Sequence, residues 1–504
     1  MVDNPSAAHG SDREIELAAR AHEKAPMLGE DTAGEEDMEP LSMDNLFEIS
    51  GGFGRSQQYV LAVALWAWIA HGAQVMLMVF VAPGVTEEFD DQPTLMRLAG
   101  SFFFAGWFCG LGMWGWLAGK RGWLHALFLI EIGVIVTGCY SALATSGRSF
   151  VLARFLCGFV EGGVPTVSFG WAIEFATPHH KAVIGTTLQC GFVVGSLVVT
   201  AFSFFLPGQW RAVSGLVSLM PLPIVIAALQ MPESPRWLMR VSKDENDWKQ
   251  ALLRVAAING HWSALTAALN SDRMHEHKGR KGGAAAGSLW TLLEDGPLRR
   301  MGAIVSLQWF VIASSFFGLS LVASSLPGGA HANILVSAVC QLPGLGATLC
   351  ALKRCGHKST ILALLVTVGS ACSSLACLLG ALPTVRVALA LVGSTATGSA
   401  FSSGYIFTGE LFPTTVRSAG LSAASQAARV GAFFSPVVLL LRDRSPALPF
   451  AVWGALALAA ALATVLLPET AGAESLETVH DLHRLMHRNG CSWLLGSKAV
   501  CFRL

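Results

Sequence analysis

The chain has 504 residues with 34 basic and 34 acidic side chains, and its formal net charge of zero gives no electrostatic reason to expect a nucleic-acid partner. Hydrophobic residues make up 53% of the sequence and charged residues only 13%, against about 25% charged residues in a typical soluble domain. Apolar runs of about twenty residues recur, and each is long enough to cross a hydrocarbon layer of ~30 Å as a helix. Because the sequence lacks the alternating pattern of a β-barrel, we expect a polytopic α-helical protein in a lipid bilayer.

The apolar runs fall into two groups of six, separated by one long polar insert. Before them lies an acidic segment that cannot bury a core and is predicted to be a disordered cytosolic tail. Within the insert, residues 248–269 are predicted to form an amphipathic surface helix, and residues 275–287 a flexible stretch rich in Lys, Gly and Ala. The predicted regions are 1–58 (acidic tail), 59–231 (first six-helix bundle), 232–298 (cytosolic central loop), 299–467 (second six-helix bundle) and 468–504 (cytosolic tail).

Lysine and arginine are concentrated in alternate loops, and this bias predicts the orientation of the chain. One set of loops holds Lys120, Arg121, Lys353, Arg354 and the many basic residues of the insert. The first loop of the other set is acidic instead, with four Glu and Asp residues between positions 87 and 91. We therefore expect both termini to be cytosolic. No sorting signal distinguishes the plasma membrane from a vesicle membrane.

Charged landmarks recur at matching intervals in the two groups of spans. Glu174 ends the fourth span and Lys181 follows seven residues later, while Glu410 ends the tenth span and Arg417 follows seven residues later. Such repetition is typical of transporters built from two similar bundles, with the substrate path between them near the middle of the membrane. We predict an all-α membrane protein with twelve transmembrane helices arranged as two pseudo-symmetric six-helix bundles.

The arrangement resembles that of the major facilitator superfamily. The resemblance rests on the six-plus-six spans, on the basic glycine hairpins at 115–122 and 353–358, and on the Glu-Leu-Phe-Pro signature that begins at Glu410. It implies the twelve-helix fold of that superfamily and transport by alternating access.

Further motifs resemble one branch of the superfamily, the organic cation/anion/carnitine transporters. These motifs are PESPRWL at 232–238, ELFPTTVR at 410–417 and LPET at 467–470. GFGR at 52–55 and ARVG at 428–431 are similar to sequences in the synaptic-vesicle-2-related members of that branch. The resemblance implies a transporter of small organic ions.

The chain departs from these relatives in its first half. Where the vesicle-related proteins typically carry an Asp and a Glu three residues apart in the first span, this chain has His71 and Gln74. The basic hairpin has Gly119 and Trp123 where the superfamily normally has Asp and Arg. These departures weaken the expected gate of the first half and remove the acids that would couple a proton through the first span. A transporter-like receptor or vesicle membrane component with little transport is therefore an alternative.

Alternating access requires charge contacts that form at one face of the protein in one state and break in the other. The candidates are acidic side chains at helix ends with basic neighbours; the alternative is that they are ordinary interface charges. The predicted gating pairs are Glu174 with Lys181 or Arg121, Glu410 with Arg417 or Arg354, and Glu233 with Arg236.

Arg429 lies well inside the eleventh apolar run, where an unpaired charge costs at least ~2.5–3.5 kcal/mol. Arginine stays ionised and holds a carboxylate or sulfonate through two parallel hydrogen bonds. Arg429 is therefore the predicted substrate clamp and favours anionic or zwitterionic substrates. The alternative is a structural ion pair with Glu161. Glu161, deep in the fourth span, is predicted to pair, to bind a cation, to carry a proton or to pack between helices.

Other polar side chains in the apolar runs need hydrogen-bond partners inside lipid. Each serves equally well to join helices or to contact a substrate, but together they favour a polar cavity. His71, a lone histidine in a helix, is interpreted as a core residue, and Tyr405 as a residue that stacks on an organic substrate. The predicted substrate-binding residues are Arg429, Glu161, Gln74, Gln189, Gln308, Gln341, Gln426 and Tyr405.

The sequence contains no phosphate-binding loop, metal-ligand cluster or nucleophile arrangement, so we expect neither an enzyme nor a cofactor or metal site. The predicted function is secondary active or facilitative transport of a small organic ion by alternating access. A coupled proton or cation would make the protein a symporter. A sugar carrier is an alternative within the same class, and Arg429 argues against it.

Overall fold

The computed structural model describes residues 43–177, 180–242, 244–270, 289–322, 329–378, 380, 382–471, 476, 481, 482, 484 and 486. Its regular elements are helices, and no strand occurs among these residues. The first 42 residues of the predicted acidic tail, the predicted flexible stretch 275–287 and the end of the chain lie outside the described residues.

Six spans form the first bundle, and two of them are broken into two helices. The break in span 6 falls at Pro221, because a proline ring cannot continue the ladder of helical hydrogen bonds. The bounds are Arg55–Glu88 (span 1), Ala99–Arg121 (span 2), Trp123–Ala142 (span 3), Gly147–Glu161 with Val164–Glu174 (span 4), Lys181–Phe205 (span 5) and Trp210–Leu219 with Leu222–Ala228 (span 6).

Six more spans form the second bundle. The bounds are Gly296–Val322 (span 7), Gly329–Cys355 (span 8), His357–Cys377 (span 9), Pro383–Leu411 (span 10), Arg417–Leu439 (span 11, followed by the 3-10 helix Leu440–Asp443) and Leu448–Val465 (span 12). Among the described residues, eleven helices are long and apolar enough to cross a membrane. Span 10 is not among them, because its Gly, Ser and Thr residues between 393 and 409 lower its hydropathy.

Short helices of the polar insert pack against one end of the first bundle, which we call the insert side. The helix Met43–Ile49 joins them there, with Leu46 and Phe47 fully buried. The prediction of a disordered tail through residue 58 is therefore wrong for residues 43–49. Leu46 and Phe47 lie outside the main apolar runs, so the sequence did not show that another part of the protein covers them.

The amphipathic stretch predicted over residues 248–269 is two helices rather than one, Glu245–Asn259 and Trp262–Leu269. Gly260 separates them in the left-handed conformation at φ 80°, which glycine adopts without steric cost. The Asn259 side chain ties this turn to the start of span 1: its Nδ2 donates to the Ser50 carbonyl and to Gln57 Oε1, each at 2.9 Å. The insert is thereby fixed to the first bundle.

Spans 2 and 4 approach each other closely through glycines. A Cβ atom added to Gly106 or Gly110 would overlap backbone carbonyl oxygens of span 4, and one added to Gly158 would overlap the backbone of span 2. Small residues allow helices in membranes to pack backbone against backbone. This contact sets the position of both Trp107 and Glu161 at mid-depth.

Candidate substrate cavity

A cavity of about 130 Å³ lies between the two bundles. Its wall combines side chains of spans 1, 2, 4 and 5 with side chains of spans 7, 8, 10 and 11. Aromatic rings dominate this wall, and they include Trp68, Trp107, Trp309, Phe316 and Phe401. Such a lining suits an organic molecule that a few polar groups orient.

Arg429 is the only Lys, Arg, Asp or Glu side chain that lines this cavity in the described structure. It is 8% exposed, and its Nη1 donates to the carbonyl and the hydroxyl of Ser425, one turn earlier in the same helix. Its guanidinium carbon lies 5.1 Å from the centre of the Trp107 ring, in a cation–π contact that crosses between the bundles. Its Nε has no hydrogen-bond partner in the described structure. The Arg429 guanidinium is thus a buried cation with one unused N–H donor among the described contacts.

Tyr405 lies beside Arg429 in the cavity wall, and its side chain contacts Ser425. Its ring stands nearly perpendicular to that of Trp309, with 4.5 Å between the ring centres. Trp309 is held in turn by a 3.1 Å hydrogen bond from its Nε1 to Thr408 Oγ1. These contacts give the second-bundle side of the cavity a fixed aromatic surface.

Glu161 does not pair with Arg429. Its Oε2 lies 2.5 Å from Nδ1 of His71, and each of these side chains is 2% exposed. His71 lines the cavity, whereas Glu161 lies outside the lining and behind it. His71 is buried and has a hydrogen-bond partner, as expected of a core histidine, but it also lines the cavity, and the sequence could not show that span 4 supplies its partner.

The five predicted glutamines separate into two groups. Gln189 and Gln341 line the cavity. Gln74 and Gln308 instead face the interiors of their own bundles, where Gln74 Nε2 lies 2.8 Å from Cys157 Sγ and Gln308 Nε2 donates to Thr464 at 2.6 Å. Gln426 is not in the lining either. None of these three residues has the predicted position in the cavity wall, and Gln74 and Gln308 bond to neighbouring helices instead.

On the insert side, the acids of the first bundle have other partners than predicted. Glu174 pairs with Arg240, and it accepts a 2.7 Å hydrogen bond from the hydroxyl of Ser234. Arg236 pairs with Asp44 of the helix Met43–Ile49 at 2.6 Å. The helices of the insert and the segment before span 1 supply these partners, so the predicted pairings within the hairpins are not present in this structure.

The second bundle repeats this arrangement with different partners. Glu410 pairs with His357 at the start of span 9, and it accepts a 3.1 Å hydrogen bond from the hydroxyl of Thr470. Arg417 donates from Nε to the carbonyl of Phe412 at 3.4 Å instead of pairing with Glu410. None of the ion pairs of Glu174, Arg236 and Glu410 therefore joins one bundle to the other. No ion pair of Lys181, Arg121, Arg354 or Arg417 occurs among the described residues.

Glu233 and Glu469 cap the first turns of spans 3 and 9, a role that the sequence did not suggest. Glu233 accepts from the backbone N–H of Leu124 at 3.0 Å, and Glu469 accepts from those of His357 and Lys358 at 2.9 and 3.1 Å. Burial raises the pKa of Glu233 despite these bonds. Burial also acts to raise the pKa of Glu469, but there the backbone N–H donors outweigh it, so its pKa lies below the usual range. The same kind of cap thus occurs in both bundles, with a raised pKa for Glu233 and a lowered pKa for Glu469.

At the end of the molecule opposite the insert side, direct contacts join the two bundles. They are the ion pair Arg97–Asp443 (2.6 Å), the hydrogen bond from Ser101 Oγ to the Phe433 carbonyl (2.8 Å) and the hydrogen bond between His331 Nε2 and Ser203 Oγ (3.0 Å). The bundles are therefore closed against each other on this side of the cavity.

The sequence of this chain is similar to those of known transporters. A family model described as "Sugar (and other) transporter" matches residues 66–482. A "Solute carrier family 22 member 15-like" protein of Xenopus laevis is 30% identical, over 77% of this chain and 78% of its own length. An "Organic cation transporter protein" of Drosophila melanogaster is 29% identical, over 77% of this chain and 71% of its own.

Solved structures show the same fold. The inward open conformation of the xylose transporter XylE from E. coli matches with a TM-score of 0.67 and 18% identity, over 85% of this chain and 99% of its own. The complex of XylE with 6-bromo-6-deoxy-D-glucose, described as a major facilitator superfamily proton:xylose symporter, matches with a TM-score of 0.63 and 17% identity, over the same shares. At these identities the likeness concerns the fold alone.

Proposed function

We propose a substrate class on the premise that this chain belongs to the family of sugar and other transporters, and is a membrane transporter of the major facilitator fold rather than an enzyme. The proposed substrates are small organic anions or zwitterions. They move by alternating access, in secondary active or facilitative transport, through the cavity between the bundles.

The observation that carries this proposal is the environment of Arg429. Its charge lies in an aromatic cavity, and among the described residues its Nε donor has no partner and no Asp or Glu lines the cavity with it. Leaving a buried cation unpaired is costly, and a bound carboxylate or sulfonate offsets that cost through charge-assisted hydrogen bonds. An uncharged sugar offers no such compensation.

The insert-side charges serve the proposed gate. In this structure Glu174 pairs with Arg240 of the insert, and Glu410 pairs with His357 of its own bundle. Lys181, Arg121, Arg354 and Arg417 have no acidic partner among the described residues. Closure of the insert side would bring the insert-side ends of the two bundles together. We propose that these cations then pair with the acids, as the contacts of the opposite end release.

The proposed setting is a plasma or vesicle membrane with both termini cytosolic, since the basic loops lie on the insert side. A proton or a cation is the proposed coupling ion. A sugar carrier is the second candidate, because the matching family model is that of sugar transporters and the solved structures include a xylose transporter.

Uptake into liposomes tests the substrate class. Purified protein is assayed with radiolabelled p-toluenesulfonate, taurine, tetraethylammonium and xylose, which represent an anion, a zwitterion, a cation and a sugar. We expect saturable uptake of p-toluenesulfonate or taurine. We expect Arg429→Gln to lower kcat/KM roughly tenfold to a hundredfold, because the lost charge-assisted hydrogen bonds contribute about 1.5–3 kcal/mol.

Arg442→Gln is the matched control. Arg442 is an exposed arginine shortly after the same helix, and its substitution is expected to leave uptake unchanged. Uptake of xylose alone would favour the sugar carrier, and absence of flux for all four probes would favour a receptor-like protein. Anion uptake that survives Arg429→Gln would remove Arg429 from the substrate site.

A further inference from the structure

The pair formed by His71 and Glu161 stands at the edge of the proposed anion site. His71 belongs to span 1 and lines the cavity, and Glu161 of span 4 lies behind it, with 2.5 Å between Nδ1 and Oε2. A ring nitrogen and a carboxylate oxygen this close need a proton between them. The second ring nitrogen, Nε2, has no hydrogen-bond partner among the described residues. The pair therefore has one vacant position for a proton.

Trp107 connects this pair to the anion site. The His71 ring meets the Trp107 ring at 88°, with 4.9 Å between ring centres, and the Arg429 guanidinium carbon lies 5.1 Å from the same ring. The proton-binding pair belongs to the first bundle and the arginine to the second. A single aromatic side chain thus separates two charged groups that the two bundles bring together.

We propose that the His71–Glu161 pair takes up one proton each time Arg429 takes up one organic anion, so that the protein is a proton–anion symporter. This inference rests on the proposed function. In the unloaded state the shared proton lies between neutral His71 and the Glu161 carboxylate, and the pair carries a charge of −1. A proton from water then forms an N–H bond at Nε2 of His71, and the pair becomes neutral. The proton returns to water on the other side of the membrane.

Charge balance inside the cavity provides the coupling. When the site is empty, the positive charge of Arg429 and the negative charge of the pair cancel. When one monovalent anion and one proton are bound, the charges cancel again. Either ligand alone leaves an unbalanced charge of −1 or +1, which is costly in a site that closes away from water. The empty and fully loaded states are therefore the ones that change conformation.

The proposed cycle leaves the protonation of the other ionisable groups near the pair unchanged, so that they add a constant charge to both the empty and the loaded state. Span 4 also carries Arg154 and Cys157, both fully buried, and span 3 carries Glu131 at 1% exposure. None of the three lines the cavity. Spans 1, 2 and 5 contribute aromatic rings around His71, which do not titrate. The imidazole is the titratable group of the first bundle that lies in the cavity wall.

Transport of p-toluenesulfonate with a trapped pH-sensitive dye tests the proposal in liposomes. This sulfonate stays ionised at neutral pH, so it does not carry protons through lipid by itself. We expect proton entry in a 1:1 ratio with p-toluenesulfonate, and about tenfold accumulation for each pH unit of an acid-outside gradient. Glu161→Gln is expected to abolish this accumulation while exchange of internal for external p-toluenesulfonate continues, because without the carboxylate the anion and Arg429 balance each other. His71→Gln is expected to abolish both accumulation and exchange, because the Glu161 carboxylate then keeps its charge when the anion is bound.

Cys157→Ser is the control, since it alters a buried neighbour of the pair on the same helix and should retain accumulation driven by the pH gradient. Flux of p-toluenesulfonate without proton entry in the unsubstituted protein would overturn the coupling and leave the proposed function standing. Absence of any p-toluenesulfonate flux would overturn both. If the glutamine variants do not fold, the dye measurement on the unsubstituted protein decides the question alone.

Discussion

The two bundles share a plan at their insert-side ends and differ at mid-depth. Both use a glutamate after the last span, Glu233 or Glu469, to cap the helix that follows the basic hairpin. At mid-depth, the first bundle buries ionisable groups against one another, whereas the second presents Arg429 to the cavity. The duplicated parts support the architecture, and the parts without a counterpart are where substrate and proton recognition is proposed.

The packing of corresponding helices also differs between the two bundles. Spans 2 and 4 touch backbone to backbone at Gly110 and Gly158, whereas in the second bundle Gly344 of span 8 and Gly398 of span 10 face side chains of the other span. Gly346 of span 8 faces open space. The contact between spans 2 and 4 is therefore more closely fitted than the contact between spans 8 and 10.

The largest effect is expected at this fitted contact. Gly110→Ala should destabilise the protein by about 3 kcal/mol or more, because the added methyl group meets the carbonyl oxygen of Phe159, which cannot move without displacing span 4. The melting temperature of purified protein measures the change. Gly346→Ala is the matched control in the second bundle and should be neutral or slightly stabilising. Equal losses for both variants would contradict the packing difference.

The two capping glutamates should respond oppositely to pH. Glu469 has a lowered pKa, so its stabilising contribution is present above the unfolded-state pKa of about 4.3 and is lost as pH falls through the folded-state value. Glu233 has a raised pKa, so its contribution is present below about pH 4.3 and is lost as pH rises through the folded-state value.

Substitution by glutamine separates these two cases. At pH 7.5 we expect Glu469→Gln to cost about 1 kcal/mol, the usual magnitude of a lost helix cap, and Glu233→Gln to be neutral or stabilising. The loss in Glu469→Gln should shrink when unfolding is measured at pH 4. Thermal unfolding of both variants at the two pH values gives the comparison, and a similar loss for both at pH 7.5 would show that the caps are equivalent.

The smallest effect is expected where the bundles meet opposite the insert side. The pair Arg97–Asp443 is exposed, with side chains 47% and 65% accessible, so Arg97→Gln should change the balance of conformations by less than ~1 kcal/mol. In a cysteine-free background, a cysteine placed at Ala432 in the cavity wall should react up to severalfold faster with an impermeant maleimide added from this side. Asp443→Asn should reproduce the change, and added salt should mask it.

The helices could be read from the sequence because lipid permits few alternatives to them. The direction in which each side chain points could not be predicted from it. Lipid-facing and buried faces of a span are both apolar, so the pattern gave no reason to separate Gln189 and Gln341 in the cavity wall from Gln74 and Gln308, which face their own bundles. Arg429 was predictable because a charge in an apolar run requires an explanation wherever it points.

Contacts between residues far apart in the chain also could not be predicted from the sequence. His71 and Glu161 are 90 residues apart, and Asp44 and Arg236 are 192 residues apart. From the sequence, His71 is interpreted as a core histidine, whereas Glu161 and Arg236 are assigned roles without these partners. Their roles emerge only when span 4 lies against span 1 and the insert folds back on the chain before span 1.

Arg429 and the His71–Glu161 pair lie on two sides of Trp107. Under the proposed coupling, this arrangement determines which gradient drives anion transport. One monovalent anion and one proton crossing together carry no net charge. The membrane potential, worth about 2.3 kcal/mol per charge for each 100 mV, therefore drops out of the driving force. A pH difference remains and supplies about 1.36 kcal/mol per unit. The anion would accumulate on the less acidic side of the membrane, whatever the membrane potential.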